Sequence, residues 1–538
     1  MKKLIALLLA VVMVLSLVAC GSKESTSSET PAAENGSASE QPAASGSGEV
    51  QKTLTIGTAQ DINNLNPQAQ NDQINNNCIT LTHQGLIYLM NPAEQEATGQ
   101  VYGSQIAESW EWEDDNTLVF HLFDGVKFSD GSPCTADDCV YTFEMAMSPD
   151  AATSGNLGLL TGVEARDEKT FVIHTSAYSN DLLSTLAGRP MVIQSKAAWE
   201  SGMDEPWLIG TGQYKFDSWT EGQQAKFVRN ENYWCTDTEG MNAPGVADEI
   251  IFKPVLEAAS RVIALQNGEI DVCIDPPTTE LQFLEGDDNI VVHTQAGTRL
   301  FYFGFNCEDK DLSNKTLRQA ISCAIDKETI VQVVLSGMGK TQNTVVNRGV
   351  PTFYDEADLG AYTYDVERAK QLLAEAGYSE GELTLDLYAA TDDPYKTIAP
   401  LIQANLLAIG INVNIVSLDQ ATLKTACQNG EQQLFLWRWN VIDRLSEIYS
   451  ELFGTGYASN YHHFYDEAVD QMAEEVLTIK DQDERAAKSV ELQKYLAEEC
   501  PQVPLYVADL VIAYRSGLTG TYLFGGGNHV WTHAYVAK

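Results

Sequence analysis

Two apolar periods alternate along the chain from residue 53 onward. Leu54, Ile56 and Thr58 recur at every second position and predict a strand with one covered face. Trp110-x-Trp112, then Asp114-Asp115-Asn116, then Leu118-x-Phe120-x-Leu122 predict a hairpin, two period-two runs about a polar turn. Ile411, Val413 and Ile415 predict another strand. Elsewhere the period is helical. Leu317, Ala320, Ile321, Ala324 and Ile325 share one face behind Ser313 as a cap. Ala369, Leu372, Leu373 and Ala376 share another, with Asp365 as N-cap and Gly377 as the stop. Helices and strands interleaved over residues 53–538, with no short-period repeat, predict an α/β or α+β protein of more than one domain.

The first residues break this pattern. Met1-Lys2-Lys3 is basic, and residues 4–19 carry no charge. Such a stretch falls short of the ~20 residues needed to span a bilayer, and its flanks are those of a secretory signal peptide, here residues 1–19. Cys20 directly after the small residues makes the segment resemble a bacterial lipoprotein signal, which implies that Cys20 is lipidated and becomes the new N-terminus. A plain secretion signal is the simpler alternative. Residues 20–52 then form a tether: Ser, Gly, Ala, Pro, Glu and Gln dominate, and no large apolar residue occurs between Cys20 and Val50. That composition cannot offset its ordering entropy, and a coil of this kind reaches roughly 30 Å. The protein is therefore expected outside the cytoplasm, on the membrane through its lipid alone.

Charge narrows the partners. The net charge is −42, from 75 acidic against 33 basic residues. Phosphate backbones need clustered Lys and Arg, so nucleic acid is excluded, as is adhesion to anionic lipid. An acidic surface fits a soluble monomer. Ten cysteines leave nine after Cys20, an odd number at irregular spacing with no C-x-x-C pair. They read as small core residues, although Cys134 and Cys139 are close enough for one local disulfide.

Catalytic patterns are missing. No G-x-S-x-G elbow and no H-E-x-x-H occur in the folded part. Gly337-Met338-Gly339-Lys340-Thr341 resembles the end of a phosphate loop, but Val334 stands where its first glycine belongs. His462-His463 and the pair His529 and His533 read as packing or surface residues rather than metal ligands. These observations offer no constellation for an enzyme and no site for a cofactor or metal.

Several blocks then carry a resemblance. Phe120-His121-Leu122-Phe123-Asp124-Gly125-Val126-Lys127-Phe128-Ser129-Asp130-Gly131-Ser132-Pro133 runs on into Thr135-Ala136-Asp137-Asp138-Cys139. Gly210-Thr211-Gly212-Gln213-Tyr214, Arg229-Asn230-Glu231-Asn232-Tyr233-Trp234 and Leu265-Gln266-Asn267-Gly268-Glu269-Ile270-Asp271 follow. Phe305-Asn306, Leu317-Arg318-Gln319-Ala320-Ile321 and Pro501-Gln502-Val503-Pro504-Leu505-Tyr506 complete the series. In this order the blocks resemble the extracytoplasmic solute-binding proteins of ABC importers, of the large peptide- and nickel-binding type known as family 5. The resemblance implies the two-lobe periplasmic-binding-protein fold of the large, class II type, with an extra subdomain and a hinged ligand cleft. It places lobe 1 at 53–92, 207–297 and 502–538, the extra subdomain at 93–206, and lobe 2 at 298–501. It also implies a small peptide or similar polar solute as ligand and a membrane permease as partner. The Phe128-Ser129-Asp130-Gly131 block reads as a structural turn with Pro133 at its exit.

The same resemblance selects candidate contacts. An acid shortly after a tryptophan holds the ligand's amine in peptide binders. Here the matching stretch is Trp437-Arg438-Trp439-Asn440-Val441-Ile442-Asp443-Arg444, which lacks the family's prolines and sets Arg444 beside Asp443. Asp443 is the candidate for the amine, and Arg438 or Arg444 for a carboxylate, which guanidinium clamps bidentately. Of Trp437 and Trp439, one is expected in the cleft and one in the core. Asp61, Asn63 and Asn64 follow the first strand, where ligands meet α/β sheets, or else make a polar turn. Tyr302, with Phe301 and Phe303, lines the cleft or belongs to a strand core. Tyr233 and Trp234 read as packing.

Overall fold

The computed structural model describes residues 51–537 except 70–71, 149–150, 152–156, 189–190, 238, 278–279, 285, 347–362, 441–443 and 524–528. The signal peptide, Cys20, most of the tether and Asp443 lie outside the described residues.

The architecture is set by two long strands, Ile290–Phe305 and Gln502–Arg515, side by side in the middle of an 11-stranded sheet. On one flank lie Leu434–Asn440, Thr384–Ala390 and Asn412–Leu418. On the other lie Val272–Ile274, Thr53–Thr58, Glu249–Pro254, Gln224–Arg229 and Tyr214–Thr220. The flanks do not overlap along the long strands. Leu434–Asn440 pairs only with residues 299–305 of the first, and Val272–Ile274 only with residues 512–514 of the second. Between them the short strand Gly339–Thr341, the eleventh, joins Tyr506–Ala508, and the two long strands pair without a further ladder only at Thr294–Ala296 and Asp509–Val511; their register shifts between Ala296 and Leu300 and between Phe301 and Tyr302. A sheet narrowed to two strands and irregular at that point is effectively two sheets on a shared ribbon. At the narrowing, a methyl on Gly297 would stand 2.4 Å from the carbonyl oxygen of Ala508, so only glycine lets the strands approach.

Each half has its own core. Leu385, Leu387, Ile398, Ile402, Phe303 and Leu505 are central on one side. Leu54, Ile56, Phe227, Ile250 and Trp531 are central on the other. A separate four-stranded antiparallel sheet, Ala107–Asp114, Thr117–Leu122, Thr170–Thr175 and Leu160–Asp167, packs on helix Ala136–Met147 around Phe120, Phe128, Phe143 and Phe171. Helices Leu445–Phe453, Glu467–Thr478 and Gln482–Glu499 enclose Ile448, Leu452, Val469, Val476 and Leu492. At about 1.5–3 kcal/mol per buried aliphatic side chain, these clusters supply the main folding force.

The local expectations are met in detail. Leu54, Ile56 and Thr58 are buried. The Trp110–Leu122 hairpin forms, and Asp114 accepts from the Asn116 amide at 2.8 Å in its turn. Asp365 caps Val366–Glu375 through the Arg368 amide at 2.8 Å, and Gly377 beyond it has φ +96°. One cap moves. Asn314, not Ser313, starts Lys315–Ala324 by accepting from the Thr316 amide at 3.0 Å, while Ser313 donates to the Lys310 carbonyl. Asp130-Gly131 is the expected turn: Gly131 has φ +89°, and Asp130 accepts from the Ser132 amide at 2.9 Å. Cys134 and Cys139 are both buried free thiols, so no local disulfide joins them. His462 and His529 are buried in ring stacks with Phe453 and Trp531, and His463 and His533 bond to the carbonyls of Cys427 and Ala243, which accounts for all four by packing.

Candidate ligand-binding site

The strand pairing decides which predicted residues face the narrowing. Arg299 pairs with Asn440, Leu300 with Trp439, Phe301 with Arg438 and Tyr302 with Trp437. Side chains alternate along a strand, so Arg299, Phe301 and Arg438 share one face while Leu300, Tyr302, Trp437 and Trp439 share the other.

The second face is core. Tyr302 is wholly buried, with its ring 5.6 Å from His462 and 6.0 Å from Phe435. Trp437 is buried with its edge 5.0 Å from Tyr461. Trp439 is half-buried against the cores on either side. The expectation that the two tryptophans divide between cleft and core is therefore corrected. Residues two apart on a strand point the same way, and this way is inward. Tyr302 is corrected likewise, since a side chain with no exposed surface cannot touch a solute.

The first face is different. Phe301 stacks on Tyr506 at 4.8 Å and lies 6.0 Å from the ring of Tyr395, the first residue of helix Tyr395–Leu407. Beyond this aromatic floor, Arg299 and Arg438 are exposed to solvent. Crowding protein lowers the affinity of the Arg299 guanidinium for its proton, and Arg438 beside it adds to the effect, while Asp275 opposes both. Asp275 ends Val272–Ile274 with φ +49°. Its carboxyl is pushed up by burial and drawn back by Arg261 and Arg299. Asp275 and Arg299 are both open to solvent, and each feels the charge of the other. Arg261 anchors this segment by donating to the carbonyls of Val255, Ile274 and Asp275 at 2.7, 3.2 and 3.1 Å. The hydroxyls of Tyr395 and Tyr506 are buried with no hydrogen-bond partner among the described residues. Burial pushes Tyr395 up to about 12 and Tyr506 higher still, and the charge of Arg438 pulls against both.

The remaining candidates are spent elsewhere. Asp61 accepts from the Trp219 indole at 3.2 Å and the Gly222 amide at 2.6 Å, tying its loop to the neighbouring hairpin. Asn63 exchanges hydrogen bonds with Asn75, and Asn64 accepts from the Asn66 amide at 2.8 Å. These three are a polar turn. Arg444 is paired with Glu447 one helical turn away and is not free to clamp a ligand. Tyr233 and Trp234 pack, bonded to the Asn242 carbonyl and the Gln84 side chain. Asn440 contributes its backbone pairing with Arg299. The sequence reading missed Asp275, Tyr395 and Tyr506. Tyr506 stood in a block noted only for its resemblance, and no local pattern marks the other two.

Two cores joined by a two-strand ribbon, with charged and aromatic groups gathered at the join, define a two-lobed α/β binding protein of the periplasmic type. The chain belongs to the bacterial extracellular solute-binding proteins, family 5, whose model matches residues 102–461. It is 27% identical over 447 residues to heme-binding protein A of Haemophilus influenzae, covering 74% of this chain and 78% of that one. It is 27% identical over 482 residues to the probable D,D-dipeptide-binding periplasmic protein DdpA of Escherichia coli, covering 87% and 90%. The structure of HbpA2 from Haemophilus parasuis superposes with a TM-score of 0.81 at 24% identity, over 90% of this chain and all of the other. These relatives are binding proteins, and members of the family act outside the cytoplasm.

Proposed function

We propose that this protein is the lipid-anchored receptor of an ABC importer, capturing small peptides by lobe closure and presenting them to a membrane permease. The carrying observation is that Arg299 and Asp275, from opposite halves of the sheet, are exposed near the ribbon and feel each other's charge, with Phe301 stacked on Tyr506 on the face that carries Arg299. A ligand touching both lobes binds the closed form better and shifts the population to it. The lobes are 53–92 with 207–297 and 502–538, and 298–501, with 93–206 as the extra subdomain. Cys20 carries the lipid and residues 20–52 the tether, and the body acts as a monomer. Asp443 is the acid for the ligand's amine. Peptide is favoured over other polar solutes by the dipeptide-binding relative, whereas the heme-binding relative shows that ligands differ among proteins of this similarity.

A thermal-shift panel on the full chain tests this reading, with di- to hexapeptides, their N-acetylated forms, oligosaccharides and nickel chelates. A ligand at a hundred times its dissociation constant adds about 2.7 kcal/mol, enough to move the midpoint measurably. Free peptides are expected to shift it and acetylated ones to shift it less, a difference that Asp443→Ala removes. Shifts with sugars or chelates alone would replace the ligand and keep the receptor.

A further inference from the structure

A cavity of about 490 Å³ lies where the four-stranded sheet's subdomain meets the strand Tyr214–Thr220, and no residue of the two-strand ribbon lines it. Three stretches do. Ser129 and Asp130 come from the turn before Pro133, Met203, Asp204 and Glu205 from the loop after helix Lys196–Glu200, and Lys215 and Phe216 from the strand. The size is that of a small-molecule site, about 300–1,000 Å³.

The turn at its base is held firmly. The Ser129 amide donates to the Gly210 carbonyl at 2.8 Å, and the Asn232 side chain donates to the Ser129 carbonyl at 2.9 Å. One oxygen of Asp130 accepts from the amide and the hydroxyl of Ser132 at 2.9 and 2.6 Å, and the other oxygen is unused among the described residues. The Ser129 side chain is not spent on this frame. The residue is 8% exposed, and its hydroxyl makes no hydrogen bond among the described residues, where an enclosed hydroxyl ordinarily has a partner. That hydroxyl is not sealed off as those of Thr211 and Tyr302 are, so it faces the cavity that its residue lines.

Charge selects the occupant. Lys215 is answered by Glu231 at 2.7 Å. Asp130, Asp204 and Glu205 have no cation partner among the described residues. Unpaired surface acids are common in a chain of net charge −42, and these three differ in ringing a cavity walled by Met203 and Phe216. No three His, Cys, Asp or Glu side chains among the described residues are grouped to hold a metal ion, so these carboxylates are too spread to chelate one. An ammonium on a hydrocarbon chain fits instead. Its three N–H groups donate to the Ser129 hydroxyl and the carboxylates, while the chain covers the thioether and the ring.

We propose that this cavity is a second binding site, taking a primary amine or diamine on an aliphatic chain, independent of the solute captured at the ribbon.

Calorimetric titration of the full chain tests this with hexane diamine, hexylamine, hexanol, hexanoate and magnesium chloride. The proteins are the wild type, Ser129→Ala, the double variant Asp204→Asn with Glu205→Gln, and a control, Glu96→Gln with Glu108→Gln. The control removes the same charge from exposed positions outside the cavity. Circular dichroism confirms the folding of each. Both amines are expected to bind the wild type at least about tenfold more tightly than hexanol or hexanoate, the worth of one hydrogen bond to a charged group. The Asp204 and Glu205 double variant should weaken the amines about tenfold or more, and Ser129→Ala about threefold, with no change in the control. Equal weakening in the control means diffuse attraction to the net charge and overturns the site. Amine and alcohol bound alike overturn the cation, and displacement of the amines by equimolar magnesium replaces the organic ligand with a metal. Neither amine binding at millimolar concentration overturns the proposal outright and leaves the receptor reading untouched.

Discussion

Asp181 and Arg485 form a buried ion pair at 3.0 Å, with side chains 9% and 13% exposed, between the segment carrying the four-stranded sheet and the C-terminal helices. The other carboxylate oxygen of Asp181 accepts from the Ser446 amide at 2.8 Å. Next to it, the Asn180 side chain donates to the carbonyls of Leu477 and Ile479 at 3.1 and 2.5 Å. At the edge of this contact, Lys480 pairs with Asp115 and lies 4.8 Å over the Tyr178 ring. The pair thus fastens two cores that share no strand. Removing one partner of a buried pair leaves an uncompensated charge and costs about 3 kcal/mol or more. Asp181→Ala should lower the thermal midpoint by several degrees and expand the molecule in small-angle scattering. A midpoint unchanged to within about a degree would show that the contact contributes nothing.

The narrowing of the sheet makes a second prediction. A methyl at Gly297 meets the Ala508 carbonyl oxygen, which is backbone and cannot swing aside. Gly297→Ala should part the two strands at a cost of about 1–3 kcal/mol. It should also change the ligand-induced compaction seen by scattering, since both strands leave the narrowing toward opposite halves. Normal compaction with an unchanged midpoint would remove the hinge from this position.

The two faces of Leu434–Asn440 predict opposite consequences for neighbouring residues. Trp437→Ala empties a core site and should cost about 3–5 kcal/mol while leaving the affinity of the refolded protein intact. Arg438, one residue on, is exposed and its loss should spare the midpoint. Denaturant unfolding beside calorimetry separates the two. A Trp437→Ala protein of normal stability and lost affinity would return that residue to the cleft.

Buried imidazoles predict a dependence on pH. Burial lowers His83 and His462 to about 4 from 6.5. Between those values the unfolded chain takes up protons that the native chain refuses, so stability falls as pH drops through this window. The limit is roughly 3 kcal/mol for each histidine. The carboxyls of Asp138, Asp271, Asp275 and Glu451, raised by burial, act in the opposite sense at the acid end. The histidine effect is therefore best read between pH 6.5 and about 5. His462→Gln should be less stable than wild type at pH 7, and the gap should narrow on acidification. A gap that stays constant with pH would mean that His462 titrates normally.

The local elements were legible in the chain because their causes are local. The cap at Asp365, the stop at Gly377, the turn at Asp130-Gly131 and the alternation of Leu54, Ile56 and Thr58 each depend on residues within a few positions. The family was legible because blocks such as Phe128-Ser129-Asp130-Gly131 form local turns that their own residues specify. The slip from Ser313 to Asn314 shows the limit of that reading, since both residues cap helices well and only the loop geometry chooses.

The binding face was not legible in the same way. From residues 437–440 alone, Trp437 and Trp439 looked like walls and Arg438 like one alternative among several. Which face of a strand meets helices and which meets solvent is set by what packs on each side, and those partners, His462, Tyr461, Tyr395 and Tyr506, arrive from distant parts of the chain. The sequence by itself determined the elements, the family and the chemistry excluded by charge. Only the tertiary structure, by pairing Phe301 with Arg438 and Tyr302 with Trp437, decided that the arginines are presented, Trp437 enclosed and Trp439 half-covered. A strand's period settles which residues share a face, whereas burial of that face is a property of the whole fold.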